Sequence, residues 1–479
     1  MLHLILGRAG SGKTEYLYRL AETQIRAGGT VTLLVPEQGS FDCERAMLHR
    51  LGPQDVRRAE VLSFTRLGDQ VGRAYGGFAG RRLDDTGRAL FMSLALEQVR
   101  DRLVLYRKSV ENGDFIGLLL GMSAACKMGA VAPDKLAAAA AGLPGALRSK
   151  TEELALILDA YDALVAESYL DPLDDLSRLA QQLHRHPFFD GRTVLLDAFK
   201  GFTAQEFEVL DAVIAQSADC WISLCMDGRT DTQPGALFAN VRKTARRLID
   251  CAHRHGVPVA VPVVLEPGAR FRTAALAAVE AHLFRSDGAP GCADDGSVRL
   301  VSAANKYEES AWIAAEIHRL VREEGYRWRD FTVIVRREDD YAAILDRALA
   351  QAGIPCFLDT PADVTSAPLM AYTLAALDAA NARLESDALF RCLKTGLFPM
   401  GPDDVAELEN YALLWAIDRE AWDSEWKNHP RGFAAEWTDD DRARLERLNG
   451  LRCAVAEPLM RLRDKMNAGG TGAELARAV

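Results

Sequence analysis

An apolar stretch, "LHLIL" (Leu2–Leu6), runs straight into "GRAGSGKT" (Gly7–Thr14), and a helical pattern, Lys13–Arg26, follows at once. No other feature restricts the fold as much. The spacing G-x-x-x-x-G-K-[ST] works when a strand delivers the chain to a tight loop whose backbone N–H groups converge on phosphate oxygens. The start of the following helix adds the positive end of its dipole. Gly7, Arg8, Ala9, Gly10, Ser11, Gly12, Lys13 and Thr14 are therefore expected to hold ATP. Lys13 is expected at the β- and γ-phosphates, and the Thr14 hydroxyl on Mg²⁺.

The strand–loop–helix unit opens an α/β alternation. Strands are expected at "TVTLLV" (Thr30–Val35) and "AEVLS" (Ala59–Ser63). From about Asp85 to His186 the pattern turns helical and rich in Ala and Leu, with no strand expected. Alternation resumes with "TVLLD" (Thr193–Asp197), a helix from Ala204, "CWISLCM" (Cys220–Met226), a helix near Val241–His255 and "VPVAVPVVL" (Val257–Leu265). The pattern is that of a parallel sheet interrupted by a helical insertion. The Gly- and Asp-containing linker Arg285–Ser297 marks a boundary. Beyond it strands are expected at Val298–Ala303, Phe331–Val335 and Ile354–Leu358, with helices through Val321 and near Tyr341–Ala352. The chain is helical again from Pro368.

Composition narrows the function classes. At 479 residues, 49% hydrophobic and 26% charged, the chain can bury several cores. Its net charge of −11 argues against a surface coated for nucleic acid, so any DNA contact belongs to a local groove or a partner. No apolar run approaches the ~20 residues that span a bilayer. The N-terminus lacks a charged segment before an apolar one, so a cytoplasmic location without membrane contact is expected. The 9 cysteines include no CxxC pair and read as ordinary thiols. His184, His186, His253 and His255 read as surface residues at helix ends.

Two further places carry chemistry. Asp197 ends a buried strand, the position of the acid that orders the hydration sphere of a nucleotide-bound Mg²⁺. In "VLSFTRL" (Val61–Leu67), Ser63, Phe64, Thr65 and Arg66 combine hydroxyls, an aromatic ring and a guanidinium, which suits single-stranded DNA. The same residues fit a helix N-cap at Ser63 with Phe64 in the core.

Two P-loop-like α/β units with helical insertions resemble the layout of superfamily 1 helicases. "LLVPEQGSF" (Leu33–Phe41), "VLSFTRL", "VLLDAFKGFTAQE" (Val194–Glu206), "GYRWRDFTVIVR" (Gly325–Arg336), "CLKTGLF" (Cys392–Phe398) and "ELENYALLWAIDREAW" (Glu407–Trp422) together resemble one family, AddB. AddB is the B subunit of the bacterial ATP-dependent helicase–deoxyribonuclease. The resemblance implies an α/β fold of two RecA-like P-loop units with parallel sheets. The first would comprise 1–84 and 187–284, with a helical insertion at 85–186. The second would start at 296–367 and be followed by a helical insertion at 368–479. It also implies ATP and Mg²⁺ as cofactors, an AddA-type helicase partner, DNA ends and single-stranded DNA as substrates, and resection of double-strand breaks for homologous recombination. Scanning for a regulatory sequence (Chi) belongs to the same picture. The family's nuclease and iron–sulfur cluster are expected beyond Val479.

Departures from an active motor are visible beside the resemblance. Motor members place Glu after the Mg²⁺ aspartate, where this chain has Ala198. The helix after "VIVRR" begins Asp339-Asp340-Tyr341-Ala342, with no arginine until Arg347. Only 6 residues precede the P-loop, which leaves no room for an upstream adenine-reading glutamine. Gln233 is a candidate γ-phosphate contact. The expectation is a subunit that binds ATP and single-stranded DNA and hydrolyses ATP poorly or not at all. An autonomous DNA translocase and a small-molecule P-loop kinase are the alternatives.

Overall fold

Successive residues of the first strand, β1 (Leu2–Gly7), enter two different cores, and this alternation lays out the first half of the chain. Leu2, Leu4 and Leu6 join one apolar cluster and Ile5 joins another. A sheet buried on both faces requires this. The computed structural model describes residues 1–478 apart from 111, 229–236, 267, 269, 285–290, 359–363 and 434–435. The chain divides into two units, Met1–Val301 and Ser302–Val479.

In the first unit β1 leads into α1 (Lys13–Arg26), β2 (Val31–Leu34), α2 (Ser40–Asp55), β3 (Ala59–Leu62) and α3 (Phe64–Tyr75). A helical segment follows: α4 (Asp85–Val99), α5 (Gly113–Met128), α6 (Pro133–Ala140), α7 (Gly145–Ala166) and α8 (Asp175–Arg185). The short strands β4 (Arg81–Arg82) and β5 (Tyr169–Leu170) pair across it, a small parallel ladder where no strand was expected. The alternation returns with β6 (Thr193–Leu196), α9 (Ala204–Gln216), β7 (Asp219–Cys225), α10 (Ala239–Arg254), β8 (Val263–Val264) and α11 (Ala274–His282).

The main sheet is parallel, in the order β3-β2-β6-β7-β1-β8. Leu17, Ala21 and Ile25 of α1 and Cys43 and Met47 of α2 cover one face, against Ile5, Leu33 and Leu195. Residues of α3, α8, α9 and α10 cover the other, against Leu4, Val194, Leu196 and Ile222. Helix α9 starts at a complete capping box: Glu206 N–H donates to Thr203 Oγ1 at 3.2 Å, and Thr203 N–H donates to the Glu206 carboxylate at 2.6 Å. The expected strand Val257–Leu265 pairs only over Val263–Val264 and at the single bridge Leu2–Val259. Pro258 and Pro262 offer no N–H, which confines this stretch to a broken edge.

The helical segment closes on its own core around Met92, Leu96, Ile157 and Tyr161. A buried polar knot fixes one side of it. Lys127 Nζ lies 3.0 Å from Asp171 Oδ2 and 2.7 Å from Asp174 Oδ2, and Tyr161 Oη donates to Asp171 at 3.1 Å. Burial alone would lower the Lys127 pKa, but the three carboxylates of Asp174, Asp162 and Asp171 raise it above the ordinary value. Among the described residues no single helix is long and apolar enough to cross a membrane; α5 and α6 meet that test only as a pair bent by 97°.

In the second unit α12 (Lys306–Glu323) packs on α13 (Leu345–Gln351) through Ala314, Ile317, Leu345 and Leu349. The three strands expected beyond the linker are corrected: Val298–Ala303, which straddles the boundary of the units, Phe331–Val335 and Ile354–Leu358 carry no ladder among the described residues. Phe331, Val335 and Ile354 lie against the two helices, so one face of the period-two pattern is used. The other face is exposed, with Ile334 at 89% and Phe357 at 88%. The rest is helical as expected, with α14 (Pro368–Asn381), α15 (Ser386–Leu393), α16 (Pro402–Leu414) and the long α17 (Asp439–Ala468) around Trp422 and Trp426.

The polar knot gives a stability test. Lys127→Met leaves the buried Asp171 carboxylate with Arg88, 3.6 Å away, as its remaining cation and is expected to cost about 3 kcal/mol, the lower end for a broken buried pair. Arg148→Ala, which breaks an exposed i,i+4 pair with Glu152, should leave the urea midpoint unchanged.

Candidate phosphate and nucleic-acid sites

All six strands of the main sheet point the same way, so their carboxyl ends form one edge, and β1 delivers Gly7 to it. The loop then turns through Gly10 at φ +72° and Gly12 at φ +91°, conformations that side chains disfavour. Gly12 caps α1 without any side-chain hydrogen bond, so the first N–H groups of the helix lack an internal side-chain partner. Lys13 Nζ donates to the carbonyls of Gly7 at 2.8 Å and Arg8 at 2.9 Å, folding the ammonium back over the loop. Ser11 Oγ is buried with no hydrogen-bond partner. Thr14 follows on the first turn of α1 with its side chain exposed. An uncapped helix start, a lysine over the loop and an orphaned hydroxyl fit a bound phosphate chain.

A cover over this loop was not foreseen. Arg270 N–H donates to Gly10 O at 3.0 Å. A Cβ on Gly10 would come within 2.8 Å of the Arg270 Cβ and 3.1 Å of the Phe271 ring. Arg8 is held by Glu280 of α11, with Nε to Oε1 at 2.8 Å, and its guanidinium lies 5.5 Å from the Phe238 ring. These partners stand well over 200 residues from the loop in sequence, where spacing carries no signal.

Asp197 directly follows β6 and is buried. Its N–H donates to Leu34 O at 3.1 Å, and Oδ1 accepts from Ser223 Oγ of β7 at 2.5 Å. Strand β7 separates β6 from β1, with Leu196 level with Ile222 and Gly7 level with Cys225. Two strand spacings, about 10 Å, therefore lie between the two strands that lead into the glycine loop and the acid. That separation suits an acid acting through the water shell of a cation. The next residue, Ala198, has φ +66°, a left-handed conformation rare for a residue with a Cβ. Gln233 lies outside the described residues.

The stretch Ser63–Arg66 starts α3 at the same edge, directly after β3. Ser63 caps the helix, its Oγ accepting from Arg66 N–H at 3.2 Å, and Phe64 is buried with its ring 5.5 Å from that of Phe199. The cap-and-core reading thus describes Ser63 and Phe64; Thr65 and Arg66 present their side chains to solvent. A residue the sequence did not single out, Glu37, sits at this helix start. Burial by itself would raise its carboxyl, but Ser63, Thr65 and the Arg66 guanidinium hold it below the ordinary carboxylate range. Arg66 also pairs with Glu44 of α2. The order "VPEQGSF", at a strand end followed by a helix, was the available signal for Glu37.

Comparison with known proteins points one way. A family model described as "ADDB, N-terminal" matches residues 4–280. The chain is 35% identical to the B subunit of an ATP-dependent helicase/deoxyribonuclease from Desulforudis audaxviator, over 100% of this chain and 43% of that protein. It is 30% identical to a protein of the same description from Acetivibrio thermocellus, over 97% of this chain and 41% of that one. A third, from Geobacillus thermodenitrificans, is 31% identical over 100% and 43% respectively. The chain thus spans about two fifths of the length of the curated relatives it matches.

The backbone at Ala198 is testable directly. Replacing an exposed alanine by glycine ordinarily destabilises, but at φ +66° the left-handed penalty of about 1–2 kcal/mol is relieved. Ala198→Gly should therefore raise the urea midpoint, and Ala198→Val should lower it.

Proposed function

The chain belongs to the AddB N-terminal family, and on that basis we propose that it is the ATP- and single-stranded-DNA-binding, helicase-like part of the B subunit of an ATP-dependent helicase/deoxyribonuclease. Such a complex resects double-strand breaks for homologous recombination, and this part scans the emerging strand for a regulatory (Chi) sequence. The observation that carries the reading is the phosphate loop at the carboxyl edge of a parallel sheet, separated by a single strand from the one that ends at a buried aspartate. Residues 1–84 and 187–284 would form the first RecA-like domain, with 85–186 inserted; 296–367 would correspond to the start of a second, although its three apolar runs carry no ladder among the described residues, with 368–479 inserted. The partner is an AddA-type helicase subunit, and the complex works on DNA ends in the cytoplasm.

Gly7, Arg8, Ala9, Gly10, Ser11, Gly12 and Lys13 hold the ATP phosphates, with Gln233 at the γ-phosphate. Thr14 and Asp197 hold Mg²⁺, which would neutralise phosphate charge when bound. Lys13 exchanges its two carbonyl acceptors for phosphate oxygens. Ser63 and Phe64 set the start of α3, and Thr65 and Arg66 meet the DNA backbone. Ala198 stands where motors carry the water-orienting glutamate, so ATP serves as a structural or regulatory ligand. This separates the chain from an autonomous translocase.

Saturating Mg·ATP at ~100 times its dissociation constant should stabilise the chain by roughly 2.7 kcal/mol, read as a raised melting temperature. Lys13→Ala should abolish that shift, and Ala198→Glu alone should not create a DNA-driven ATPase. Brisk DNA-stimulated hydrolysis by the unmodified chain would overturn the reading.

Binding of single-stranded DNA should weaken with salt by about 0.7 log units per phosphate contact for each log unit of salt. Arg66→Ala should lower that slope by one contact. Glu44→Gln, which frees Arg66 from a competing carboxylate, should strengthen binding. An unchanged slope in Arg66→Ala would remove this arginine from the site.

A further inference from the structure

Away from the phosphate edge, helices α9 and α10 pack on the same face of the main sheet and bring together three donor groups of different chemistry. Asp211 comes from α9. Cys251 comes from the last turn of α10, and His255 from the position directly after that helix. The i,i+4 spacing of Cys251 and His255 puts them on one face, toward Asp211. Cys251 Sγ donates to Asp211 Oδ1 at 3.2 Å, and His255 Nε2 lies 2.7 Å from Asp211 Oδ2. The three donor atoms all lie within 4.8 Å of one another. In the sequence these were an ordinary thiol and a surface histidine, and the aspartate stands 40 residues from the cysteine.

We propose that Asp211, Cys251 and His255 form a three-ligand site for Zn²⁺, with water in the fourth position. One sulfur, one imidazole nitrogen and one carboxylate oxygen are a donor set that zinc takes in tetrahedral sites, whereas Mg²⁺ and Ca²⁺ favour oxygen alone. At Zn–S of about 2.3 Å and Zn–N of about 2.0 Å, two tetrahedral ligand atoms stand about 3.5 Å apart. The two hydrogen-bonded pairs stand at 3.2 and 2.7 Å and all three donor atoms within 4.8 Å of one another, a range that brackets that spacing. The binding step is balanced: the Cys251 S–H bond breaks, its proton leaves to solvent, and the thiolate pair forms the Zn–S bond. The Nε2–H of His255, which faces the Asp211 carboxylate in the free protein, is displaced as well: that proton passes to solvent, the ring's N–H resides on Nδ1, and the freed Nε2 lone pair forms the Zn–N bond. Arg254 Nη2 donates to Asp211 Oδ1 at 2.8 Å, which orients the carboxylate and directs Oδ2 to the ion.

Burial and access also fit. Cys251 is 3% exposed, which protects the Zn–S bond, while the His255 side chain is 33% exposed and gives the ion a path from solvent. The bound ion ties α9 to α10, the helices that follow β6 and β7. Asp197 directly follows β6 and its partner Ser223 lies on β7, so the clip stabilises the strand pair behind the phosphate site. This inference is independent of whether that site holds ATP.

The test uses the whole 479-residue chain, stripped with chelator and titrated with Co²⁺ alone. One equivalent should bind with a sulfur-to-cobalt charge-transfer band, Zn²⁺ should displace it, and Zn²⁺ should raise the melting temperature. Cys251→Ser should lose the band. His255→Ala, which alters a partly exposed ring and leaves the core intact, should weaken Co²⁺ binding by at least the ~10-fold typical of losing an outer partner. Cys292→Ser, at an exposed thiol elsewhere, should change nothing. No charge-transfer band at stoichiometric Co²⁺, or a band that survives Cys251→Ser, would overturn the proposal and leave a hydrogen-bonded clasp around Asp211.

Discussion

Everything at the phosphate edge depends on β7 lying between β1 and β6. It hydrogen-bonds to both, matching Gly7 to Cys225 on one side and Leu196 to Ile222 on the other. That double register fixes how far the acid stands from the loop, and Ser223 of the same strand clamps the Asp197 carboxylate. The strand is held in turn because Cys220, Ile222 and Leu224 are buried with α9 and α10. A slip of one residue would turn these apolar groups to the α1 face and carry Ser223 away from Asp197. The site is therefore as rigid as the core beneath it.

The parts legible in the sequence are those specified locally. The helix Lys13–Arg26 has its expected bounds because the glycines of the loop and Gly28-Gly29 punctuate both ends. Strands β2, β3, β6 and β7 fall within a residue or so of expectation because largely buried parallel strands read as short apolar runs bounded by turns. Val257–Leu265 reads the same way, yet its prolines limit it to an edge fragment. The three runs at 298–303, 331–335 and 354–358 carry the same periodicity but no ladder among the described residues, since a strand needs a neighbour that periodicity cannot supply. The cover of Arg270 and Phe271 on Gly10, the Glu280 clasp on Arg8 and the convergence of Asp211 with Cys251 and His255 all join distant positions. Nothing in local spacing encodes them.

The cations at this edge already have internal partners. Lys13 is turned onto backbone carbonyls, Arg8 onto Glu280, and Arg66 onto Glu44 beside the Glu37 carboxylate. Each ligand contact must then be an exchange of partners, and its net worth is the difference between two hydrogen-bonded states. For Lys13 the exchange replaces neutral carbonyls by charged oxygens, which strengthens the bond. For Arg66 one carboxylate gives way to one phosphate, a nearly even trade. On the proposed function, ATP would be held by strong contacts and DNA by weak, readily reversed ones.

The backbone after Asp197 bears on whether a held nucleotide turns over. A glutamate at position 198 would inherit φ +66°, so its side chain would leave the chain in a direction set by the left-handed turn. Activation of water requires a carboxylate within hydrogen-bond reach of the attacked atom, and geometry precedes acidity in that requirement. Alanine at this turn therefore represents more than one missing group: the local backbone, the side chain and the charge partners would all have to change together. Holding phosphates would ask only for the glycine loop, Lys13, Thr14 and Asp197, which lie between β1 and α1, at the start of α1 and directly after β6. The two demands fall on different residues, so the proposed binding of nucleotide does not require the parts for turnover.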